Sequence, residues 1–593
     1  MQCNFPIDNS GVQFPKMIRP GLFLVVALVL TRAEVPVFAA DTVDADQPHR
    51  MGAQTLPVER GKYDRIVYVS HATGSDEAGD GSRAQPWKTI GQALDCTGPT
   101  SESQRLALLV AAGTYAAEPL KMRAFVDLYG GFRPSDWHRD VYANASILDG
   151  AQQRRVLVGA DHSRLDGFLI KRGAVVGFGG AILCDGVSPT LTNNRFVRNR
   201  TQKSMDWQPK HLHQRAHDGG AICCLNGAKP IIRGNLFVEN QTEIGRGGAI
   251  SLHGRCAGEI SFNVFLDNKT GLEDRHRSSD GGAISIFDWS SPRIENNVFL
   301  ENKALNVNDG GAVFATLWSS PVIAKNIFVG NRSTDDGGAL FVGGQEHRYD
   351  EPLDTRPDAS EFHVKISANR FSGNENKSMN SGGVRLVKEA RATMQNNILA
   401  RDARLYIQES DVEIINNTIL EDVYLKKMDQ YDSGLIANNV FLGGLKLPPG
   451  TTITHSLVRE GYAGPGNLSD QPRFLDDQAK LQIVASNYKS AEHVTTVRIR
   501  SGQWSKQQLA NRIVRAMNRW GVIRSNGSET IDIWGDVSAA KELLLLPTFQ
   551  LHPQSPGIDQ GNAELSPQRD IHGDRRPTGA GVDIGADEVV HDI

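Results

Sequence analysis

A charged residue stands directly before each of five Gly-Gly pairs in this 593-residue chain. In chain order these residues are Asp218, Arg246, Asp280, Asp309 and Asp336. β-Elimination at a uronate needs a cation that neutralises the sugar carboxylate and a base that removes the C5 proton. If the pairs stack, Arg246 lies between two aspartates, and we therefore predict Arg246, Asp218 and Asp280 as catalytic residues. The alternative is that alternating charges only cancel repulsion within a ladder.

The aspartates of three consecutive units, Asp280, Asp309 and Asp336, predict a metal site. Carboxylates about 5 Å apart repel one another strongly. They must bind a cation, raise some of their pKa values or turn into solvent. Because hard oxygen ligands suit calcium, we predict a Ca²⁺ site; alternatively, each side chain bonds the backbone of its own Gly-Gly bend. Glycoside hydrolysis would need two facing carboxylates, for which Asp280 with Asp288 or Asp309 is the available pair.

The longest insertion between repeats, residues 200–218, predicts a substrate-binding surface. It carries Trp207, His211 and His213. Trp289 and Trp318 each follow the first Gly of their pair by eight residues and so share a register. Aromatic rings stack on sugar rings, and we predict that these five residues line a groove for an extended sugar chain. A solvated loop and a plain surface ladder are the alternatives, and metal binding by the histidines would need a rigid element to hold them.

Two recurring signatures predict how these residues are positioned. Gly-Gly-Ala starts at Gly179, Gly219, Gly247, Gly281, Gly310 and Gly337, and weakens to Gly-Gly-Val at Gly382. Asn-x-Phe-x-x-Asn starts at Asn194, Asn235, Asn263, Asn297, Asn326 and Asn369. In the first five units the two signatures are 15 or 16 residues apart, whereas the spacers between units vary. A fixed interior with variable corners is typical of a solenoid.

The apolar runs between the signatures are short and favour strands, three per unit. Strands this short must stack on neighbouring units, and we predict an all-β, right-handed parallel β-helix. The six phenylalanines of the second signature should form an inward column. Its first asparagines should form a column at a bend, because Asn tolerates a left-handed backbone and can bond the Asn of the next coil. Asn397, Asn417 and Asn439 extend the pattern to about residue 445.

The ends of the chain depart from the repeat. Residues 1–40 combine basic residues, a short apolar run and small residues suited to cleavage, which predicts a secretory signal peptide rather than a membrane anchor. We further predict a linker over 41–62, an N-terminal cap with a helix from Ile90 to about Asp95 and the first coils over 63–125, the β-helix over 126–484, an inserted α+β module over 485–547 with a helix near Ser505 to Trp520, and an end segment over 548–593.

Composition excludes some function classes. The net charge is only -4 and no polybasic stretch is present, so nucleic-acid binding has no support. Of six cysteines, five remain after signal removal, which does not fit a disulfide framework. Cys184 and Cys224 share a register, and we expect core packing, with a thiol ladder or a strained bridge as alternatives. We expect a monomer without a transmembrane anchor.

The repeated Gly-Gly-Ala-Ile and Phe-x-x-Asn motifs resemble the passenger domains of chlamydial polymorphic outer-membrane proteins and related bacterial β-helix surface proteins. Ser555-Pro-Gly-Ile-Asp-Gln-Gly and Val582-Asp-Ile-Gly-Ala-Asp-Glu are similar to the choice-of-anchor ends of exported β-helix proteins. The resemblance implies the fold and export, but it does not define an activity.

Two functions remain open. The first is a secreted or cell-surface β-helix that binds and degrades an extended, uronate-containing polysaccharide, as a lyase or a glycoside hydrolase. The second is a non-catalytic surface or matrix protein that acts in adhesion or as a rod. An enzyme predicts charged and aromatic residues that converge on one face, whereas a rod predicts surfaces without a special coil.

Overall fold

The chain coils into the predicted parallel β-helix. The computed structural model describes residues 51–115, 119–203, 217–272, 279–345, 357–377, 382–426, 434–500 and 504–590. Each coil contributes one strand to each of three long parallel sheets, and six coils add a strand to an additional, short sheet. The short sheet was not expected, because its strands of two or three residues follow the closing Asn of the second signature without an apolar run.

Sheets 1 and 2 each have thirteen strands. Sheet 1 consists of Arg65–Val69, Leu106–Ala111, Val126–Phe132, Arg164–Asp166, Thr190–Thr192, Ile231–Arg233, Glu259–Ser261, Arg293–Glu295, Val322–Ala324, Val364–Ser367, Arg391–Gln395, Asp411–Ile415 and Ile436–Ala437. Sheet 2 consists of Gly113–Tyr115, Ser146–Asp149, Phe168–Lys171, Arg195–Val197, Leu236–Val238, Val264–Leu266, Val298–Leu300, Ile327–Val329, Arg370–Ser372, Ile398–Ala400, Thr418–Ile419, Val440–Phe441 and Leu457–Val458. Sheet 2 therefore continues past residue 445, where the asparagine pattern ends, and stays within the predicted 126–484.

Sheet 3 is the short sheet, and sheet 4 follows the Gly-Gly pairs. Sheet 3 consists of Ala174–Val176, Arg200–Gln202, Gln241–Thr242, Lys269–Thr270, Lys303–Ala304 and Arg332–Ser333. Sheet 4 consists of Leu120–Lys121, Leu157–Val158, Ile182–Asp185, Ile222–Leu225, Ile250–His253, Ile284–Phe287, Val313–Ala315, Leu340–Gly343, Val384–Val387, Leu405–Gln408, Val423–Lys426 and Leu445–Lys446.

The Gly-Gly pair makes the corner between sheets 3 and 4. Gly247 adopts a φ of +67°, which side chains disfavour. A Cβ on Gly248 would lie 2.2 Å from the carbonyl oxygen of Gly282 in the next coil. The first glycine therefore supplies the turn and the second allows the coils to approach, which explains why the pair recurs.

The predicted phenylalanine column is confirmed. Phe196, Phe237, Phe265, Phe299, Phe328 and Phe371 stack at centroid distances of 4.7–4.8 Å, with ring planes within 4–6° of parallel. All six are buried inside the coil. Residues up to 175 positions apart thus form one continuous apolar core.

The predicted asparagine column is also confirmed. In it the side-chain oxygen of each Asn accepts a hydrogen bond from the backbone amide of the preceding Asn, at 2.8–3.0 Å. The closing Asn of the signature forms a second, parallel column. The left-handed backbone does not fall on the ladder residues as expected. It falls on the residue before them, as at Phe262 and Asn296.

The N-terminal helix is confirmed at Ile90–Asp95, where Ile90, Ala93 and Leu94 are buried. Two short 3₁₀ helices lie at Arg60–Lys62 and Ala563–Leu565. Cys184 and Cys224 are register partners on adjacent coils and are free, buried thiols. No helix among the described residues is both long and apolar enough to cross a bilayer.

The inserted module is a closed antiparallel barrel rather than an α+β unit. Its six strands are Ala479–Lys489, Val494–Ile499, Ile513–Ala516, Arg519–Asn526, Thr530–Trp534 and Glu542–Leu545. The helix predicted near Ser505 to Trp520 is wrong, because residues 506–511 form turns and a hairpin follows. Asn511 and Met517 adopt positive φ, which interrupts any helix. The spacing of apolar residues that resembled a helix belongs to two short strands.

The barrel packs on the outward face of sheet 2. Apolar residues of four sheet strands, from Leu236 to Val329, form one cluster with Trp520 and Trp534 of the barrel. A Cβ on Gly330 or Gly373 would lie within 2.4 Å of the Trp520 ring. Arg519 forms an ion pair of 3.0 Å with Glu301 of the sheet. The barrel is thus a fixed part of the molecule.

A partly buried histidine of the barrel predicts acid sensitivity. Burial lowers the pKa of His493 to about 4. The unfolded chain takes up this proton below pH 6.5, whereas the folded chain does not until about pH 4. We expect His493 to lower the free energy of unfolding by up to about 3 kcal/mol as the pH falls from 6.5 to 4. Urea unfolding of the protein and of His493→Gln across this range should show a smaller pH dependence in the variant; equal slopes would contradict the assignment.

Candidate functional site

The outward face of sheet 4, here called the Gly-Gly-Ala face, has the predicted charged residues along its edge. Along each strand the side chains alternate between core and outside, so Ile250 and Leu252 point inward while Ser251 and His253 point outward. The first outward position of successive strands forms one column. That column consists of Cys223, Ser251, Ser285, Phe314, Phe341, Arg385, Tyr406, Tyr424 and Lys446.

The predicted column of charged residues is present at the edge of this face. The amide of Gly219 donates to the carbonyl of Arg246, that of Gly247 to Asp280, and the same pattern continues through Asp309 and Asp336. Asp218, Asp280 and Asp309 each accept the backbone amide of the next column residue, at 2.8–3.0 Å. The carboxylates of Asp218, Asp280 and Asp309 therefore bond backbone amides of the following coil.

The predicted catalytic residues Arg246, Asp218 and Asp280 lie in this column and are almost fully buried. The Cζ of Arg246 is 4.4 Å from the centroid of the Phe287 ring. His253 packs edge-on against the same ring at 5.1 Å, and its Nε2 is 3.8 Å from a carboxylate oxygen of Asp288. The sequence did not indicate His253 or Phe287. Both residues occupy the fourth position of a strand that follows a Gly-Gly-Ala corner, and the side chain at this position points outward. That position was the signal in the sequence that could have identified them.

The predicted calcium ligands converge only in part. Carboxylate oxygens of Asp309, Asp335 and Asp336 lie within 4.8 Å of one another, and Asp280 does not belong to this group. Asp336 also forms an ion pair of 3.0 Å with Arg385. The third member of the group is Asp335, the neighbour of Asp336 in the sequence, and not the predicted Asp280.

The predicted substrate-binding residues have different positions. Trp318 is 2% exposed and packs edge-on against Phe362 in the core, so its prediction as a surface platform is wrong. The corner backbone does not cause this burial, because φ is positive at both Trp289 and Trp318. Trp289 shares its register but is only partly buried, with the guanidinium of Arg255 5.3 Å from its ring. Trp207, His211 and His213 lie outside the described residues.

The most exposed part of the face is a group that the sequence analysis missed, here called the tyrosine ladder: Arg385, Tyr406, Tyr424 and Lys446. The two tyrosine rings stack at 5.9 Å with their planes 21° apart. The Arg385 guanidinium is 4.7 Å from the Tyr406 ring, and the Lys446 ammonium is 4.6 Å from the Tyr424 ring. Lys446 is exposed and the other three are partly exposed. The four side chains form one stack along successive coils, in which each tyrosine ring lies between a cation and the other ring, so the ring edges are the parts that reach solvent.

Residues 162–333 match the family model described as the right handed beta helix region, in agreement with the predicted handedness. No curated protein matches the chain. Similar solved structures include the pectate lyase Pel9A, at 12% identity and a TM-score of 0.31, covering 89% of this chain and 96% of that one. A tailspike protein of Acinetobacter baumannii bacteriophage Fri1, titled a capsular polysaccharide depolymerase, has 10% identity and a TM-score of 0.28, covering 84% and 90%.

A tailspike protein of E. coli bacteriophage HK620, in complex with a pentasaccharide, has 10% identity and a TM-score of 0.25, covering 74% of this chain and 87% of that one. Similarity at this level does not extend to activity. The resemblances to polymorphic outer-membrane proteins and to choice-of-anchor ends stay predictions.

Proposed function

We propose that this β-helix binds an extended, uronate-containing polysaccharide along the Gly-Gly-Ala face and cleaves it there. The observation that carries the proposal is the tyrosine ladder. The partly exposed edges of the tyrosine rings can contact sugar rings, and the cations Arg385 and Lys446 can attract sugar carboxylates, Arg385 in addition to its ion pair with Asp336. Two cations at the ends of the ladder attract an acidic polysaccharide more strongly than a neutral one, so the ladder favours an acidic one.

The spacing of the ladder also fits an extended chain. Successive coils are about 4.8 Å apart, which is close to the length of one sugar ring in an extended polysaccharide. A chain that runs along the solenoid axis therefore places consecutive rings over consecutive coils. Arg385 and Lys446 are separated by three coil steps. The ladder accordingly matches four sugars with carboxylates at the first and the fourth.

For cleavage, we propose β-elimination at Arg246 with Asp218 and Asp280. The guanidinium neutralises the uronate carboxylate, a base removes the C5 proton, and the C4–O4 bond breaks as a C4–C5 double bond forms, with a proton passing to the leaving oxygen. These residues are buried, whereas the ladder is partly exposed. Binding is thus supported by an accessible surface, and cleavage only by the types of the charged residues.

Calcium and export are further parts of the proposal. We propose Ca²⁺ binding at Asp309, Asp335 and Asp336, whose oxygen atoms are of the right type and close together. Isothermal titration with CaCl₂ tests it, and no heat of binding would refute it. We also propose a secreted or cell-surface location, from the N-terminal sequence alone.

The decisive experiment is an assay of the mature protein on polygalacturonate, alginate and a neutral β-glucan, with and without Ca²⁺. We expect binding to the two uronates and ultraviolet absorbance from unsaturated ends. Arg246→Ala should lose at least 100-fold in cleavage rate, as for removal of one transition-state charge partner, while it still binds. Arg293→Ala, on the outward side of sheet 1, is the matched control.

Cleavage that is unchanged in Arg246→Ala would remove the column as the active site. Uronate binding without any product would favour the alternative of a non-catalytic adhesive or structural protein. Failure to bind any uronate would overturn the proposal as a whole.

A further inference from the structure

The inserted barrel differs in charge from the rest of the molecule. Residues 479–545 contain ten Lys and Arg against five Asp and Glu, a formal charge of +5. Because the whole chain carries -4, the remainder carries -9. An acidic body repels an acidic polymer, and a basic module on the same chain opposes that repulsion.

Seven of the ten basic residues of the barrel fall into two groups. Those near the docked side are paired: Arg519 with Glu301, Arg524 with Glu492, and Arg512 with Asp477, at 2.8–3.2 Å. The second group, here called the basic patch, comprises Lys480, Arg498, Arg500 and Lys541, and all four are exposed. Within the part of the chain that the structure describes, Arg498 and Arg500 form no ion pair.

Strand pairing places the basic patch on one side of the barrel. Arg498 pairs in register with Ala485, and the amide of Arg500 donates to the carbonyl of Gln482 on the same strand. On the other side of that strand, the carbonyl of Lys541 accepts from the amide of Ile483.

Between these basic residues lies the exposed side chain of Val484. Three described acids lie near the patch: Glu542 is 4.0 Å from Lys480 and also accepts from Gln482, Asp532 pairs in register with Thr496, and the carbonyl of Glu529 accepts from the amide of Ile499. Among the described residues, Arg498 and Arg500 therefore face solvent without an ion pair, beside the strand Ala479–Lys489, whose only charges are basic.

We propose that the basic patch is a second binding site for an acidic polysaccharide. This inference rests on the proposed function, and the occupant is chosen by charge: the patch attracts polyanions and the rest of the molecule repels them. The barrel docks on sheet 2 and the tyrosine ladder lies on sheet 4, so the two sites occupy different faces of the coil. The patch captures the polymer by long-range attraction, and the ladder binds individual sugar rings.

The test uses the full mature chain and immobilised polygalacturonate. Arg498→Gln with Arg500→Gln should weaken binding roughly fivefold at low ionic strength, and the loss should shrink in high salt because the attraction is screened. Lys229→Gln with Lys365→Gln, two exposed lysines of the solenoid, removes the same charge elsewhere and should have little effect.

The outcomes separate this inference from the proposed function. If the barrel variant and the control pair bind polygalacturonate with equal affinity, the basic patch is not a binding site, whether or not the tyrosine ladder is one. Loss in the barrel variant with no loss on removal of Tyr406 and Tyr424 would support the patch and reject the ladder. Tighter binding to duplex DNA or to vesicles of anionic phospholipid than to polygalacturonate would overturn the choice of partner.

Discussion

Asn297→Asp should lower the free energy of unfolding by about 4 kcal/mol, the largest single-residue effect that we expect in the solenoid. Asn297 is fully buried, and its amide nitrogen donates to the carbonyl oxygen of Ile260 at 2.8 Å and to the side-chain oxygen of Asn326 at 3.0 Å. Its own side-chain oxygen accepts from the backbone amide of Asn263. A carboxylate keeps the acceptor but places a buried negative charge against two oxygen atoms.

Asn296→Asp provides the matched control for this prediction. Asn296 is the preceding residue, is only partly buried, and has a φ of +56°, which Asp also tolerates. Urea unfolding followed by far-ultraviolet circular dichroism measures both variants. If Asn297→Asp is no less stable than Asn296→Asp, the asparagine column does not hold adjacent coils together.

Replacement of Tyr406 and Tyr424 by alanine should weaken uronate binding about 30-fold. Each ring contributes about 1 kcal/mol through contact of its exposed edge with a sugar ring, and about 2 kcal/mol in total corresponds to this ratio of Kd. Both side chains point out of sheet 4 and are partly exposed, so the coil should remain intact. Isothermal titration with oligogalacturonates of two to six units measures the effect, and we expect a gain in affinity up to four units.

The double variant Tyr406→Phe with Tyr424→Phe keeps the rings and should keep most of the affinity. Removal of the hydroxyls also removes the 3.2 Å contact from Lys446 to Tyr424, which is a minor part of the ladder. An alanine variant that binds as well as the wild type, with an unchanged melting temperature, would exclude the ladder as the binding surface.

The core of the fold was predictable from the sequence because each unit has a fixed interior spacing. The distance from a Gly-Gly pair to the following Asn sets the register, and Phe196 and Phe237 stack as this register requires. The left-handed position was assigned one residue too late. The sequence indicated a bend but did not distinguish Asn297 from Asn296, since both are asparagine.

The barrel and the site were harder to predict, for different reasons. Trp520 lies in a strand outside the repeat, and its ring is buried because the barrel docks on sheet 2. The burial of this ring therefore could not be predicted from the spacing of the repeat. Trp318 shares a register and a positive φ with Trp289, but Trp318 packs against Phe362 in the core, and register does not report such a contact from outside the repeat. Tyr406 and Tyr424 lie where the Gly-Gly signature has faded, so only the alternation of their strands could have revealed them.

The central claim is that the Gly-Gly-Ala face binds an acidic polysaccharide along the solenoid axis. A crystal structure of the protein with tetragalacturonate tests it most directly. We predict sugar rings over Tyr406 and Tyr424, with carboxylates at Arg385 and Lys446. Saturating ligand found on another face of the coil, or a chain that crosses the strands of sheet 4 without contact to either tyrosine, would contradict the claim.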